Sequence, residues 1–145
     1  MDSSVVTGSR DEKWREATVK LMEAFQRGEM TPVLSDLTVG EVMKAGDEKV
    51  RAFLDHPAWK DAEMVQLDND ADQLAQAYIR EGAIGAAHEA DAQHIALATV
   101  SRVDLLVSWN FKHIVNVDRI RLFNAVNLKQ GYPMLDIRPP LEVVT

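Results

Sequence analysis

Short aliphatic segments and longer stretches with helical spacing alternate along this chain. The short segments are rich in Val, Ile and Leu, and they predict strands at residues 2–7, 32–34, 62–67, 104–108 and 134–137. Between them, apolar residues recur three or four positions apart. That spacing predicts helices starting at Ser9, near 37, near 50, after Asn69 or Asp70, at Ala90 and near Ile120.

The clearest strand is 104–108. Val103 and residues 105–107 are apolar with one charge between them, as expected for a strand buried on both faces. Strands that alternate with helices predict an α/β fold with a mostly parallel sheet covered on both sides. Ligands of such sheets bind beyond the carboxyl ends of the strands. Candidate chemistry is therefore expected around Asp2 in the first strand and Asn110 after the clearest one.

Composition narrows the class of protein. The 145 residues fit one domain spanning 1–145, and the chain contains no cysteine, which excludes disulfides, thiolate zinc sites and a cysteine nucleophile. No apolar run approaches the ~18 residues of a membrane span, and the first residues do not have the pattern of a signal peptide. We therefore expect a cytoplasmic protein with no membrane-spanning segment.

The net charge is −7, from 16 Lys and Arg against 23 Asp and Glu. It argues against a protein that coats nucleic acid through bulk positive charge. It is compatible with ordinary acidic solubility, and also with an enzyme whose bound cations meet the phosphates of a substrate.

Three carboxylates stand out, and each has a simpler alternative. Asp2 can be a terminal charge, Glu41 can complete a capping box with Thr38, and Asp91 can face water. Asp91 shares a helix face with apolar residues four and seven positions later, so its carboxylate needs a partner there. Carboxylate oxygens suit Mg²⁺ or Mn²⁺, which activate water against phosphodiesters. Spacing alone does not show that the three acids converge.

Four segments of the chain resemble motifs of the PIN-domain family and follow one another in the family's order. The similarity continues through 124–127 and 131–133 and so covers nearly the whole chain. The segments are Asp2-Ser3-Ser4-Val5-Val6, the Glu41-containing stretch 35–42, the Asp-Ala-x-His-Ile-Ala-x-Ala-like stretch 90–98, and the strand-end stretch 106–114.

The resemblance implies a three-layer PIN-like fold, with a central, mostly parallel sheet flanked by helices. It also implies an endoribonuclease that depends on Mg²⁺ or Mn²⁺. Many bacterial and archaeal relatives are VapC-type toxins of type II toxin–antitoxin pairs, often homodimeric and held inactive by an antitoxin. The expected partners are thus RNA, an antitoxin protein and a second copy of the chain.

The family's functional positions carry over to this sequence residue by residue. Asp2, Glu41 and Asp91 would be the metal-binding and catalytic acids, and Asn110 stands where many relatives have a fourth acid. Ser4 and Ser108 would be supporting hydroxyls. The chain departs from the family pattern in two ways: only Met1 precedes the first acid, and the amide of Asn110 carries no charge.

Residues just beyond the clearest strand are candidates for RNA contact. Trp109 can stack on a base or form a wall between helices, and Lys112 and His113 can touch phosphate or face water. His94 is interpreted as a packing or hydrogen-bonded residue. The two departures motivate an alternative function, a catalytically weak or inactive PIN-fold binding or regulatory module. An unrelated α/β domain with scattered acids is a third interpretation.

Overall fold

Helices and short strands alternate in the computed structural model, which describes residue 5, residues 12–44, residues 46, 48 and 52, and residues 54–144. The helices whose bounds lie within the described residues are α1 (Glu12–Gln26), α2 (Asp36–Lys44), α3 (Asn69–Arg80), α4 (Glu89–Val100), α5 (Val117–Lys129) and α6 (Pro140–Val143). The strands are β1 (Val33–Ser35), β2 (Glu63–Val65), β3 (Leu105–Val107) and β4 (Asp136–Arg138), and 3₁₀ turns cover Pro57–Trp59 and Ala86–His88.

The four strands of the described chain form two parallel pairs. β1 pairs with β2, with Leu34 opposite Met64, and β3 pairs with β4, with Leu106 opposite Ile137. A parallel pair needs a crossover connection, which α2 and α5 help to provide. The prediction of an α/β fold with parallel strands is therefore confirmed at this level.

The N-terminal strand prediction is wrong at the one position where it can be compared. Val5 has helical backbone, and the remainder of the predicted strand 2–7 lies outside the described residues. The side chain of Val5 is completely buried in a cluster with Ala17 and Leu21 of α1. The β-branched pattern is a weak signal because such burial can override strand propensity.

Two helices begin at caps other than the expected ones. The Ser35 hydroxyl accepts a hydrogen bond from the Thr38 amide at 3.1 Å, so Ser35 caps α2 and Thr38 lies inside it. At α3, the carboxylate of Asp68 accepts from the Ala71 amide at 2.8 Å. Asp68 therefore caps α3, instead of Asn69 or Asp70.

The main core lies between α3, α4, α5 and the β3–β4 pair. Its largest fully buried side chains include Tyr78, Ile95, Leu106 and Phe123. The rings of Tyr78 and Phe123 meet edge to face, with centroids 5.2 Å apart. Small residues of α3 and α4, such as Ala75 and Ala96, are also fully buried and allow these two helices to pack closely.

A buried polar network, made of Tyr78, Thr99, Asn124 and Asn127, crosses this core. The Tyr78 hydroxyl donates to the Asn127 side chain, and the amide nitrogen of Asn127 donates to Asn124 Oδ1 at 3.2 Å. Asn124 in turn bonds both the amide and the carbonyl of Leu135 just before β4. Burial raises the pKa of Tyr78 well above its usual range, so the hydroxyl keeps its proton.

A second cluster joins α1 to the end of β3. Ala17 and Leu21 pack there with Val5, Val107 and Trp109. No described helix has both the length and the apolarity needed to cross a membrane.

Candidate functional site

Asp91 lies in the first turn of α4, directly after the 3₁₀ turn Ala86–His88. A carboxylate at this position interacts favourably with the positive end of the helix dipole. The side chain is half-buried, and within the described part of the chain its carboxylate makes no hydrogen bond or ion pair. The acid is therefore held in place by the helix while its oxygens remain available to a ligand.

Two histidines lie beside Asp91. His88 precedes α4 and His113 lies in the turn after β3. Each of the three side chains offers one ligand atom within 4.8 Å of the other two, and all three residues are half-buried. The two imidazole rings stack with centroids 3.7 Å apart and planes inclined at 29°. We call these three residues the His–Asp–His cluster.

His113 carries an unsatisfied polar atom. Its Nδ1 is buried and has no hydrogen-bond partner, which in the described chain holds for no other buried side-chain nitrogen or oxygen. Burial and, secondarily, the neighbouring His88 lower the pKa of His113 below its ordinary value. At neutral pH the ring is therefore uncharged, which is the form that binds metal ions.

Glu41 contacts α4 one turn after Asp91. Its Oε1 lies 3.0 Å from Nε2 of His94, whose side chain is 4% exposed against 36% for Glu41. The capping alternative for Glu41 is wrong, because Ser35 caps α2 and Glu41 lies in its second turn. The interpretation of His94 as a hydrogen-bonded residue is confirmed.

The turn after β3 is held by its own side chains. Ser108 is fully buried, and its hydroxyl accepts from the Asn110 amide at 2.9 Å. Oδ1 of Asn110 accepts from the backbone amide of His113 at 3.0 Å. The amide oxygen of Asn110 therefore shapes the turn that presents His113.

The other predicted site residues fall in different surroundings. Trp109 is 3% exposed and its indole nitrogen donates to Thr18 at 3.2 Å, which favours the role of a wall between helices over base stacking. Lys112 is exposed beside the cluster. Asp2 and Ser4 lie outside the described residues.

The structure thus brings several predicted residues around the first half of α4. Asp91 is near His113, the turn containing His113 is fixed by Asn110 and Ser108, and Glu41 is joined to the same helix through His94. Sequence reasoning missed the pairing of His88 with Asp91. Their spacing of three residues at the start of a helix could have indicated it, because such spacing places two side chains on the same face of the helix.

No protein-family model matches this chain, and neither a curated protein nor a solved structure matches it.

Proposed function

We propose that this protein is a metal-dependent endoribonuclease with a three-layer PIN-like fold, in which Asp91, Glu41 and Asp2 hold Mg²⁺ or Mn²⁺. One observation carries the proposal: Glu41 of α2 contacts His94, which follows Asp91 by three residues on α4. Glu41 and Asp91 are 50 positions apart in the sequence, so the contact of Glu41 with the helix that contains Asp91 is a tertiary feature.

The donor chemistry fits a hard divalent ion. Asp91 and Glu41 supply carboxylate oxygens, which Mg²⁺ and Mn²⁺ prefer. The hydrogen bond from His94 fixes one oxygen of Glu41 and so orients the carboxylate, a role that partners of metal ligands commonly have. When bound, the ion would neutralise phosphate charge and promote attack of water on phosphorus.

Neighbouring side chains have supporting roles in this proposal. Lys112 is exposed beside the His–Asp–His cluster and can hold a phosphate of the RNA backbone. Asn110 fixes the backbone of the same turn through its bond to the His113 amide. Cleavage would leave a 5′-phosphate and a 3′-hydroxyl, as the family resemblance implies.

By the same resemblance we propose that the enzyme is the toxin of a type II toxin–antitoxin pair and works as a homodimer that an antitoxin inhibits. Val117, Leu122 and Leu128 of α5 are 46–67% exposed and offer apolar area that a partner would cover. Sedimentation velocity checks the dimer. A monomer mass at the concentration that gives cleavage would contradict it.

The test of the nuclease uses the purified full chain and a fluorescent structured RNA. We expect cleavage with Mn²⁺, none with EDTA, and a loss of roughly 100-fold or more in Asp91→Asn and Glu41→Gln. The matched control is Glu89→Gln, which neutralises an exposed acid in the same turn of α4 as Asp91. Digestion of the products by a 5′-phosphate-dependent exonuclease checks the chemistry of the ends.

Cleavage that persists in Asp91→Asn and in EDTA would exclude this site. A second candidate function, a PIN-fold binding module with little catalysis, is favoured by Asn110, whose oxygen already accepts the His113 amide where many relatives have a fourth acid. Calorimetry with Mn²⁺ separates the two functions, because a binding module without a working site would bind the ion weakly. Such a module would also bind RNA without cleaving it.

A further inference from the structure

The His–Asp–His cluster shares Asp91 with the proposed Mg²⁺ or Mn²⁺ site of Asp2, Glu41 and Asp91, which we call the acid site. The two sites differ in their ligand atoms. The cluster combines two imidazoles with one carboxylate, whereas Mg²⁺ favours oxygen ligands alone. Imidazole nitrogen suits zinc and its neighbours in the first transition row, and two histidines with one carboxylate are an established zinc ligand set. This set of donor atoms therefore favours a different class of ion.

The present state of His113 is consistent with a ligand role. Its buried Nδ1 has no hydrogen-bond partner, so a polar atom has been removed from water without compensation. A metal bond to His113 or a turned ring would remove that deficit. The Asn110 bond to the His113 amide and the position of His88 before α4 fix the backbones that carry both rings.

The ligand atoms of His88, Asp91 and His113 must move closer together to bind one ion. Zinc–nitrogen bonds of about 2.0–2.1 Å place tetrahedral ligand atoms roughly 3.3 Å apart, whereas the three ligand atoms here lie within 4.8 Å of one another. Stacked rings also direct their lone pairs along nearly parallel planes, so at least one ring must turn. All three residues are half-buried and not fully enclosed, which leaves room for these rotations.

The charge of Asp91 is essential to such a site. A cation beside the first turn of α4 meets the positive end of the helix dipole, and Lys112 and Arg119 add positive charge near His113. The carboxylate offsets this repulsion. Three protein ligands leave a fourth position for water or a phosphate oxygen.

We propose that His88, Asp91 and His113 form a binding site for a divalent transition-metal ion such as Zn²⁺, and that occupation of this site withdraws Asp91 from the acid site and inhibits RNA cleavage. The inhibitory half rests on the proposed nuclease function, whereas the binding half does not.

The binding test is a calorimetric titration of the metal-free full chain with Zn²⁺, supported by the visible absorption of bound Co²⁺. We expect one ion per chain, with binding weakened at least roughly tenfold in His88→Gln and His113→Gln and abolished in Asp91→Asn. The control is His56→Asn, which retains an acceptor for the Ala58 amide that His56 caps. Binding that is unchanged in His113→Gln would overturn the site.

A measurement on the unmodified protein covers the case in which a variant does not fold. Imidazole resonances of His88 and His113 should shift on addition of Zn²⁺, because unstacking changes the ring currents, while those of His56 should not. Shifts confined to His56 or His94 would overturn the proposal.

The regulatory half is tested by adding Zn²⁺ to Mn²⁺-dependent cleavage. We expect inhibition of the wild type and a weaker inhibition in His88→Gln, whose cleavage with Mn²⁺ alone should be retained. If Zn²⁺ binds at the cluster without reducing cleavage, the inhibitory half is wrong. If the wild type never cleaves RNA, the nuclease proposal fails, and the titration still decides whether the metal site exists.

Discussion

The two ends of α4 use polar residues in opposite ways. At the C-terminal end, Thr99 belongs to the buried polar network, and its hydroxyl donates to the Ile95 carbonyl at 2.9 Å. At the N-terminal end, Asp91 makes no hydrogen bond or ion pair with another described residue, and Nδ1 of His113 is buried without a partner. The C-terminal end of α4 therefore has internally hydrogen-bonded polar groups, whereas polar groups at its N-terminal end lack hydrogen-bond partners within the described chain.

This difference separates groups that hold the fold from groups that, in our proposal, bind a metal ion. A buried polar atom without a partner costs about 1–3 kcal/mol, and native proteins leave few of them. The network around Asn127 avoids that cost with internal bonds. The His–Asp–His cluster does not, and substitutions at the two ends should therefore change stability with opposite signs.

The largest effect on stability is expected at the buried polar network. Asn127→Ala should lower the free energy of unfolding by about 2–4 kcal/mol, because it removes the bonds to Tyr78 and Asn124 and leaves a cavity. Urea unfolding followed by circular dichroism measures the change. Gln130→Ala, at an exposed position after α5, is the control and should stay within about 0.5 kcal/mol.

A change of less than about 0.5 kcal/mol in Asn127→Ala would mean that the network does not hold the fold.

A smaller effect of opposite sign is expected at His113. His113→Phe keeps a flat ring against His88 and removes the unpartnered nitrogen, so the metal-free protein should gain about 1 kcal/mol. The same urea experiment in the presence of EDTA measures it. Destabilisation by His113→Phe would show that Nδ1 makes a favourable interaction, and the two ends of the helix would then be alike.

The smallest effect concerns pH. The pKa of His113 is lowered from its ordinary value of 6.5 by burial, with His88, Arg119 and Lys112 acting in the same direction and Asp91 against them. The unfolded chain therefore binds more protons than the folded one just below pH 6.5, and the free energy of unfolding decreases as the pH falls through that range.

We expect His113→Phe to show a shallower decrease between pH 7.5 and 5.5, because the titrating group is absent. Denaturant midpoints of the metal-free proteins at several pH values measure the slope. Equal slopes for wild type and variant would contradict the lowered pKa of His113.

Much of the fold follows from local patterns. The apolar segment 104–108 and the helix predicted to start at Ala90 agree closely with β3 and α4, because apolar runs and helical spacing depend only on neighbouring residues. The caps were less predictable. Several Asx and Ser/Thr residues stand side by side at the starts of α2 and α3, and only the backbone geometry decides which one accepts the hydrogen bond.

The site was harder to predict than the fold. Glu41 and Asp91 were proposed from their motifs, but the contact of Glu41 with His94 and the stacking of His88 on His113 are tertiary. His88 and His113 are 25 positions apart and belong to different segments. No periodicity links such residues, because their distance depends on how the turn after β3 packs beside the start of α4.

The hydrogen bond between Trp109 and Thr18 has a consequence for biosynthesis. It spans 91 positions, and it lies in the cluster that buries Leu21 of α1. While the ribosome extends the chain, the side of α1 that contains Ala17 and Leu21 emerges long before Val107 and Trp109, which cover it in the folded protein. Contacts of such long range form late and slowly, so this side of nascent α1 is uncovered apolar surface of the kind that makes folding chains prone to aggregation.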